Sequence, residues 1–314
     1  MKYCFYYLFG AGLAFAQATQ SSANLRMPDL NGRLVEAGAY VAKDGDRTEL
    51  SQSINGRTVP LQKSDTRVLS EGPNGRTTET IVRKYDPNGQ LASTERTVAE
   101  EQKRPNGLVV HATVYRSDVN GRLLESERRT IETQTQGTTT TSDVTISRAG
   151  LSGSFQVAEK RNIVTTTGTN AVKVTEVVQR PSQSGQMVET TREVQEQTTA
   201  GDKVTATTAS YEPDYTGKLN LIRQQVATTA KAADGSTVTE RNVYAPSVYG
   251  IARNERDTPK LQQQEVVVRR EKNGVVTETT SVSRPTLADP NRLGESKAIS
   301  ELVCTGKCAG PLQP

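Results

Sequence analysis

The most chemically pointed residues of this chain are two cysteines near its C-terminus, Cys304 and Cys308, which enclose Thr-Gly-Lys. Thiols at this spacing can close a short disulfide loop, remain free, or cycle redox equivalents. Redox work wants a Cys-x2-Cys pair at a helix start, and the spacing here is Cys-x3-Cys, so the expectation is a disulfide that staples the tail. Metal binding would need partners, and the single histidine, His111, has no Cys, Asp or second His at ligand spacing; it reads as a mid-strand surface residue. Carboxylate pairs such as Glu100 with Glu101 and Glu125 with Glu127 have the composition of an acid and base. Pairs this frequent single out no site and read as a solvated strand face. No nucleophile elbow, phosphate loop or zinc helix occurs. The sequence thus assigns no catalytic, cofactor-binding or metal residue, and the expectation is a non-enzyme without a cofactor.

What positions the side chains is a repeat. One family of turns carries Gly56, Gly89, Gly121, Gly153, Gly185, Gly217 and Gly250, at successive spacings of 33, 32, 32, 32, 32 and 33. Between them lies a second family, at Gly75, Gly107, Gly137, Gly168, Gly201, Gly235 and Gly274, with looser spacing. Asn-Gly and Asp-x-x-Gly sequences supply the left-handed backbone that hairpin loops demand. The intervening segments are β-branched and alternate: Leu108, Val110, Ala112 and Val114 share one face, as do Val172, Val174 and Val178. The fold class is therefore all-β: an elongated antiparallel hairpin meander of about 14 long strands with a 32-residue period, in a single-layer or rolled sheet. Glu95, Glu127 and Glu159 fall in one row of such a sheet, and Arg96, Arg128, Lys160 and Arg192 in another on the opposite face, so both rows need compensating charge nearby.

The N-terminus has the pattern of a cleaved export signal, with Lys2 before an uncharged run from Cys4 to Ala16 that ends in Ala14-Phe15-Ala16. Removing it takes six of the 14 aromatic residues, and there is no Trp. The mature chain can build only a thin core. Its net charge is small, +4 for the whole sequence, and alternates in sign; no basic run with interleaved aromatics offers a nucleic-acid site. An outer-membrane barrel would need an apolar face on every strand and aromatic girdles, and strands such as Glu189 to Gln197 lack them, so no membrane insertion is expected after signal removal.

The turns Tyr85-Asp-Pro-Asn-Gly-Gln-Leu91 and Ser117-Asp-Val-Asn-Gly-Arg-Leu123 resemble the Tyr-Asp repeats of the Rhs family. The resemblance covers the turns of about two units and implies a hairpin architecture, a fragment of a β-sheet shell. The organisation reads as a signal at 1–16, a lead or capping segment at 17–45, hairpin repeats at 46–284 and a tail with the Cys pair at 285–314. The expected function is an exported protein, periplasmic, cell-surface or extracellular, with a structural, adhesive or scaffold role. Its partners would be itself through unpaired edge strands, an extracellular polymer or a cell-surface protein. A carbohydrate- or ligand-binding module on the sheet face is the alternative, and a shell fragment of Rhs type the third reading.

Overall fold

The computed structural model describes residues 21–28, 34–54, 57–150, 153–246, 259–286 and 292–306. They form eighteen antiparallel strands in one sheet. The first six are β1 (Ser21–Pro28), β2 (Leu34–Asp44), β3 (Arg47–Ile54), β4 (Arg57–Gly72), β5 (Gly75–Tyr85) and β6 (Leu91–Arg104). The next six are β7 (Gly107–Ser117), β8 (Leu123–Gln136), β9 (Thr139–Ala149), β10 (Phe155–Thr167), β11 (Ala171–Pro181) and β12 (Met187–Ala200). The last are β13 (Lys203–Pro213), β14 (Leu219–Lys231), β15 (Thr237–Ala245), β16 (Lys260–Lys272), β17 (Val275–Ser283) and β18 (Lys297–Gly306). The antiparallel meander is as expected. Its strand number is higher because the 17–45 lead contributes β1 and β2, and the tail contributes β18.

Each strand pairs with its neighbours in sequence, and β1 pairs on one side with β2 and on the other with β18, through Ala23 opposite Cys304 and Leu25 opposite Leu302. The ring of strands is closed. This corrects the expectation of self-association through unpaired edges, because the meander ends satisfy each other and leave no edge. Strands about 4.8 Å apart and tilted by about 40° place the backbone of an 18-strand ring on a cylinder of roughly 18 Å radius. Substantial contacts run only between strands that are adjacent or next but one, so no core joins opposite walls among the described residues. The chain exposes 21142 Å², against roughly 12,800 Å² expected of a compact chain of this mass.

The 32-residue period has a structural cause. In the first turn family Gly89 donates its amide to the Asp86 carbonyl at 2.9 Å, and Asp86 donates its own to the Gln90 carbonyl at 2.8 Å. The Asp86 carboxylate accepts from the amides of Asn88 and Gln90, at 2.9 and 2.8 Å. Asp118 and Asp214 repeat the pattern. The five described glycines of this family have φ between 77 and 85°, a region that costs any L residue with a Cβ. Gly56 and Gly250 lie outside the described residues.

Just past these turns the ladder slips. Leu61, Ala92, Ser126, Ala158, Thr190, Ile222, Gln262 and Ile299 each stand as the extra, unpaired residue of a bulge. Hydroxyls cap some of the freed carbonyls: Ser126 donates to Val114 at 3.1 Å and Thr190 to Val178 at 3.2 Å. A bulge bends and twists its strand, and one per hairpin at the same level curls the sheet until it closes. The extra residue also contributes to strands of 14 residues at β6, β8 and β12 beside 11 at β5, β7, β9, β11 and β13.

Gly107 marks a different need for glycine, since a Cβ there would sit 1.9 Å from the Thr133 carbonyl oxygen on β8. At Gly121 a Cβ would meet open space and only the φ of 77° opposes it. Gly107→Ala is therefore expected to lower unfolding free energy by about 2–3 kcal/mol and Gly121→Ala by about 1 kcal/mol, measured by denaturant unfolding. Equal losses would mean that β7 and β8 do not approach as closely as described.

Candidate functional site

Following the register around the barrel separates its two faces. From Ala112 and Val114 on β7, the same face carries Glu127, Arg129 and Ile131 on β8, then Val144, Ile146 and Arg148 on β9. It continues through Glu159, Arg161 and Ile163 on β10 to Val174 and Glu176 on β11. Val144, Ile146, Ile163 and Val174 pack into a buried apolar strip flanked by Ile131 and Val172. The shared face expected of Leu108, Val110, Ala112 and Val114 is present, with Ala112 and Val114 buried. The opposite face carries Arg96, His111, Tyr115, Arg128, Asp143 and Lys160. Each face is therefore polar and charged at mid-wall.

The row of glutamates is compensated by arginines 21 residues later. Glu95 accepts from Arg116 at 2.9 Å, Glu127 from Arg148 at 3.0 Å and Glu159 from Arg180 at 2.9 Å. Arg129 and Arg161 complete the last two sites, so a buried carboxylate, 2% exposed at Glu127 and 4% at Glu159, sits between two guanidinium groups. Burial pushes both carboxyls up, and the hydrogen bonds and charges of the arginines outweigh it, leaving both below the ordinary value. On the opposite face Glu79 is held the same way by Arg96 and Arg67, which lower it. The cationic row of that face has its own partners: Arg128 pairs with Glu125 and lies 4.2 Å over the Phe155 ring, and Arg192 pairs with Glu189 at 3.0 Å. Hydroxyl pairs fill other cross-strand positions, with Thr133 and Ser142 at 2.9 Å and Thr229 and Thr239 at 2.8 Å.

These are structural pairs. Glu125 and Glu127, two apart in sequence, fall on opposite faces because the bulge at Ser126 lies between them. Glu100 and Glu101 are adjacent and so point apart, opposite His111 and Val110. His111 is exposed, with Thr130 Oγ1 3.4 Å from its Nδ1. Among the described residues no three His, Cys, Asp or Glu side chains converge. Cys304 is disulfide-bonded and 1% exposed, against Val276 and Leu302. Cys308 lies outside the described residues, as does the signal at 1–16.

The two ends of the barrel differ more than its faces do. Tight two-residue turns join β2 to β3, β4 to β5, β6 to β7, β8 to β9, β12 to β13 and β16 to β17 at the end where β1 begins and β18 finishes. The other end, the bulge rim, holds the first turn family and the long connections 246–259 and 284–296. Among the described residues, eight of the ten exposed large apolar side chains lie there: Leu91, Val119, Leu123, Leu124, Val157, Val188, Tyr215 and Ile299. All six aromatic residues with described side chains, Tyr85, Tyr115, Phe155, Tyr211, Tyr215 and Tyr244, lie in or beside its turns. The exposed apolar surface among the described residues therefore lies at the rim of the regularly spaced turn family. The signal for it was the large residue two positions past the glycines at 89, 121, 153, 185 and 217.

No protein family matches this sequence, and no curated protein does. Solved structures with a similar fold include Salmonella typhi OmpF in complex with daunomycin, at 8% identity and a TM-score of 0.47, covering 92% of this chain and 95% of that one. OmpT, an outer membrane protein of Vibrio cholerae, gives 8% identity and 0.46, covering 92% and 97%. A bacterial polysaccharide outer membrane secretin gives 10% identity and 0.45, covering 91% and 97%. At such values the likeness is one of barrel architecture. The closed single-chain ring corrects the resemblance to Rhs shells, whose shared Asp-x-Asn-Gly-x-Leu signature is here the chemistry of a bulged hairpin turn. The expectation of no membrane insertion, drawn from strands that lack an apolar face and aromatic girdles, is corrected: the solved structures of similar fold are outer-membrane barrels.

Glu127→Gln leaves Arg129 and Arg148 facing a neutral amide at a buried position, and is expected to cost about 1–3 kcal/mol. Because the folded carboxyl lies below its ordinary 4.5, its stabilisation is present above that pH and disappears as pH falls through the lower, folded value. Wild type should lose stability in that acid window, measured by urea unfolding against pH, and Glu127→Gln should lose less. Parallel curves would contradict the assignment.

Proposed function

We propose that the chain is an exported barrel of the cell envelope with a structural, non-enzymatic role, a stiff hollow scaffold that presents large polar walls to other envelope components. The observation that carries this reading is the wall itself. Buried carboxylates clamped by paired arginines occur on both faces, at Glu127 and Glu159 on one and at Glu79 on the other. Side chains spent on holding neighbouring strands are unavailable for turnover, and the clamps repeat at the 32-residue period instead of converging on one place. Among the described residues a shallow groove of about 280 Å³ is lined by Lys84, Glu95, Arg116 and their neighbours, and Glu95 and Arg116 already pair with each other.

A second reading, a polar passage for solutes, is favoured by the strand number, since 16 to 18 strands leave a water-filled interior in closed barrels. Two measurements separate the readings. A scaffold whose wall is continuous should resist trypsin along its strands despite the chain's 39 Lys and Arg, with cuts confined to turns and connections, and should give no sugar flux when reconstituted in vesicles. Flux with protected strands would replace the scaffold by the passage. Cleavage throughout the strands would sink both.

A further inference from the structure

A closed single-layer ring has an inner and an outer face, and the two differ in crowding. Side chains converge on the concave face and splay on the convex one. With no core joining opposite walls among the described residues, only neighbours on the same face bury a side chain. The face that carries Glu127 and Val144 runs on from Val174 through Gln195, Thr208, Gln225 and Val243 to Val276 and Cys304. Among the described residues this face holds every buried apolar side chain except Val109, down to 0% exposure at Val114. On the alternate face the mid-strand side chains of His111, Asp143, Lys160, Asn162, Lys173 and Glu196 are exposed. Glu79 is buried there because Arg67 and Arg96 lie against it. The rings of Tyr85, Tyr115, Phe155, Tyr211 and Tyr244 stand on that alternate face too.

We infer that the face of Glu127 and Val144 is the inner wall of the ring, and that it encloses a water-filled interior open to small hydrophilic solutes. Side chains stand about 5 Å off a sheet, half the spacing of stacked sheets, so a backbone cylinder of roughly 18 Å radius leaves an interior roughly 26 Å across. The apolar side chains of this face are small or β-branched and lie deep between longer polar ones. What meets the interior is hydroxyl, amide and charge: Thr208, Gln195 and Gln225 at mid-wall, and the guanidinium groups of Arg129 and Arg161, 41% and 37% exposed above their buried carboxylates. With the strand-borne rings on the outer face, the inner wall gives sugars or bases no stacking platform among the described side chains. It suits solutes that keep their hydration or exchange hydrogen bonds with hydroxyls and amides. The inference deepens the second reading by naming the lining of its passage, and rests for that on the closed ring. An accessible interior without sugar flux would keep the inference and strike the passage.

The test uses the full mature chain with Cys304 in its disulfide, so that the parent takes up no thiol reagent. Cysteines are placed singly at adjacent, half-buried mid-strand threonines of opposite faces, Thr208→Cys and Thr207→Cys on β13. Thr280→Cys and Thr279→Cys on β17 form a second pair, read alongside the first in case either β13 variant fails to fold. Each variant meets N-ethylmaleimide, and separately a maleimide held by a short linker on a globular protein wider than the interior. Thr208→Cys and Thr280→Cys should react fully with the small reagent and lose all labelling by the large one, whereas Thr207→Cys and Thr279→Cys should take up both. Three results would overturn the inference. Labelling of 208 and 280 by the large reagent would put that face outside, their refusal of both reagents would mean a filled interior, and identical behaviour of the two faces would mean that neither is enclosed.

Discussion

The structure depends on the pairing of β1 with β18. A single-layer sheet of eighteen strands with a thin apolar strip has almost nothing to hold it except its ladder of backbone hydrogen bonds and cross-strand side-chain pairs. Left open, such a sheet would carry two long rows of unpaired amides and carbonyls. Closure satisfies both rows within one chain. It also fixes curvature, and every hairpin must contribute its share of that curvature for the ends to meet. The bulges beside the first-family turns are that contribution, which explains why one turn family keeps strict spacing while the other drifts: a bulge misplaced by one residue would invert the face of every side chain beyond it.

Polar pairing does in this wall what packing does in a compact domain. Glu127 and Glu159 are more deeply buried than Val144 and Ile146, and each is held by two arginines from its own and the next strand. A buried pair of this sort yields little net stability over an apolar substitute but punishes any partner left alone. Because a slip of one residue would set Glu127 opposite Ser147 in place of Arg148, the clamps act as register keys as much as stabilisers. The aromatic residues with described side chains gather at one rim.

Much of this was legible in the residues. The glycine spacing gives the turns, Asp-x-Asn-Gly gives their chemistry, and alternation in Leu108 to Val114 gives the faces. The row of Glu95, Glu127 and Glu159 pointed to compensating charge, which the arginines at 116, 148 and 180 supply. Three things were not legible. The bulge residues Ala92, Ser126 and Thr190 share no side-chain type, because a bulge is a backbone event. Closure joins Ser21–Pro28 to Lys297–Gly306, segments outside the regular repeat whose pairing no local pattern announces. The apolar rim was hidden because Leu91, Leu123 and Met187 look like hairpin staples until the topology puts them at one end.

Closure is tested most directly by crosslinking β1 to β18. With Cys304 and Cys308 replaced by Ser, cysteines are placed at Leu25 and Leu302, or at Asn24 and Val303, which are register partners. Successive antiparallel pairs alternate between wider and closer Cα spacing, so one of the two has the geometry a disulfide needs. Mild oxidation of the folded chain at low concentration should give an intrachain disulfide joining the two ends, seen as a faster band on a non-reducing gel and as a linked peptide pair by mass spectrometry. Chains that stay reduced in both variants, or that link only into dimers, would contradict the closed barrel.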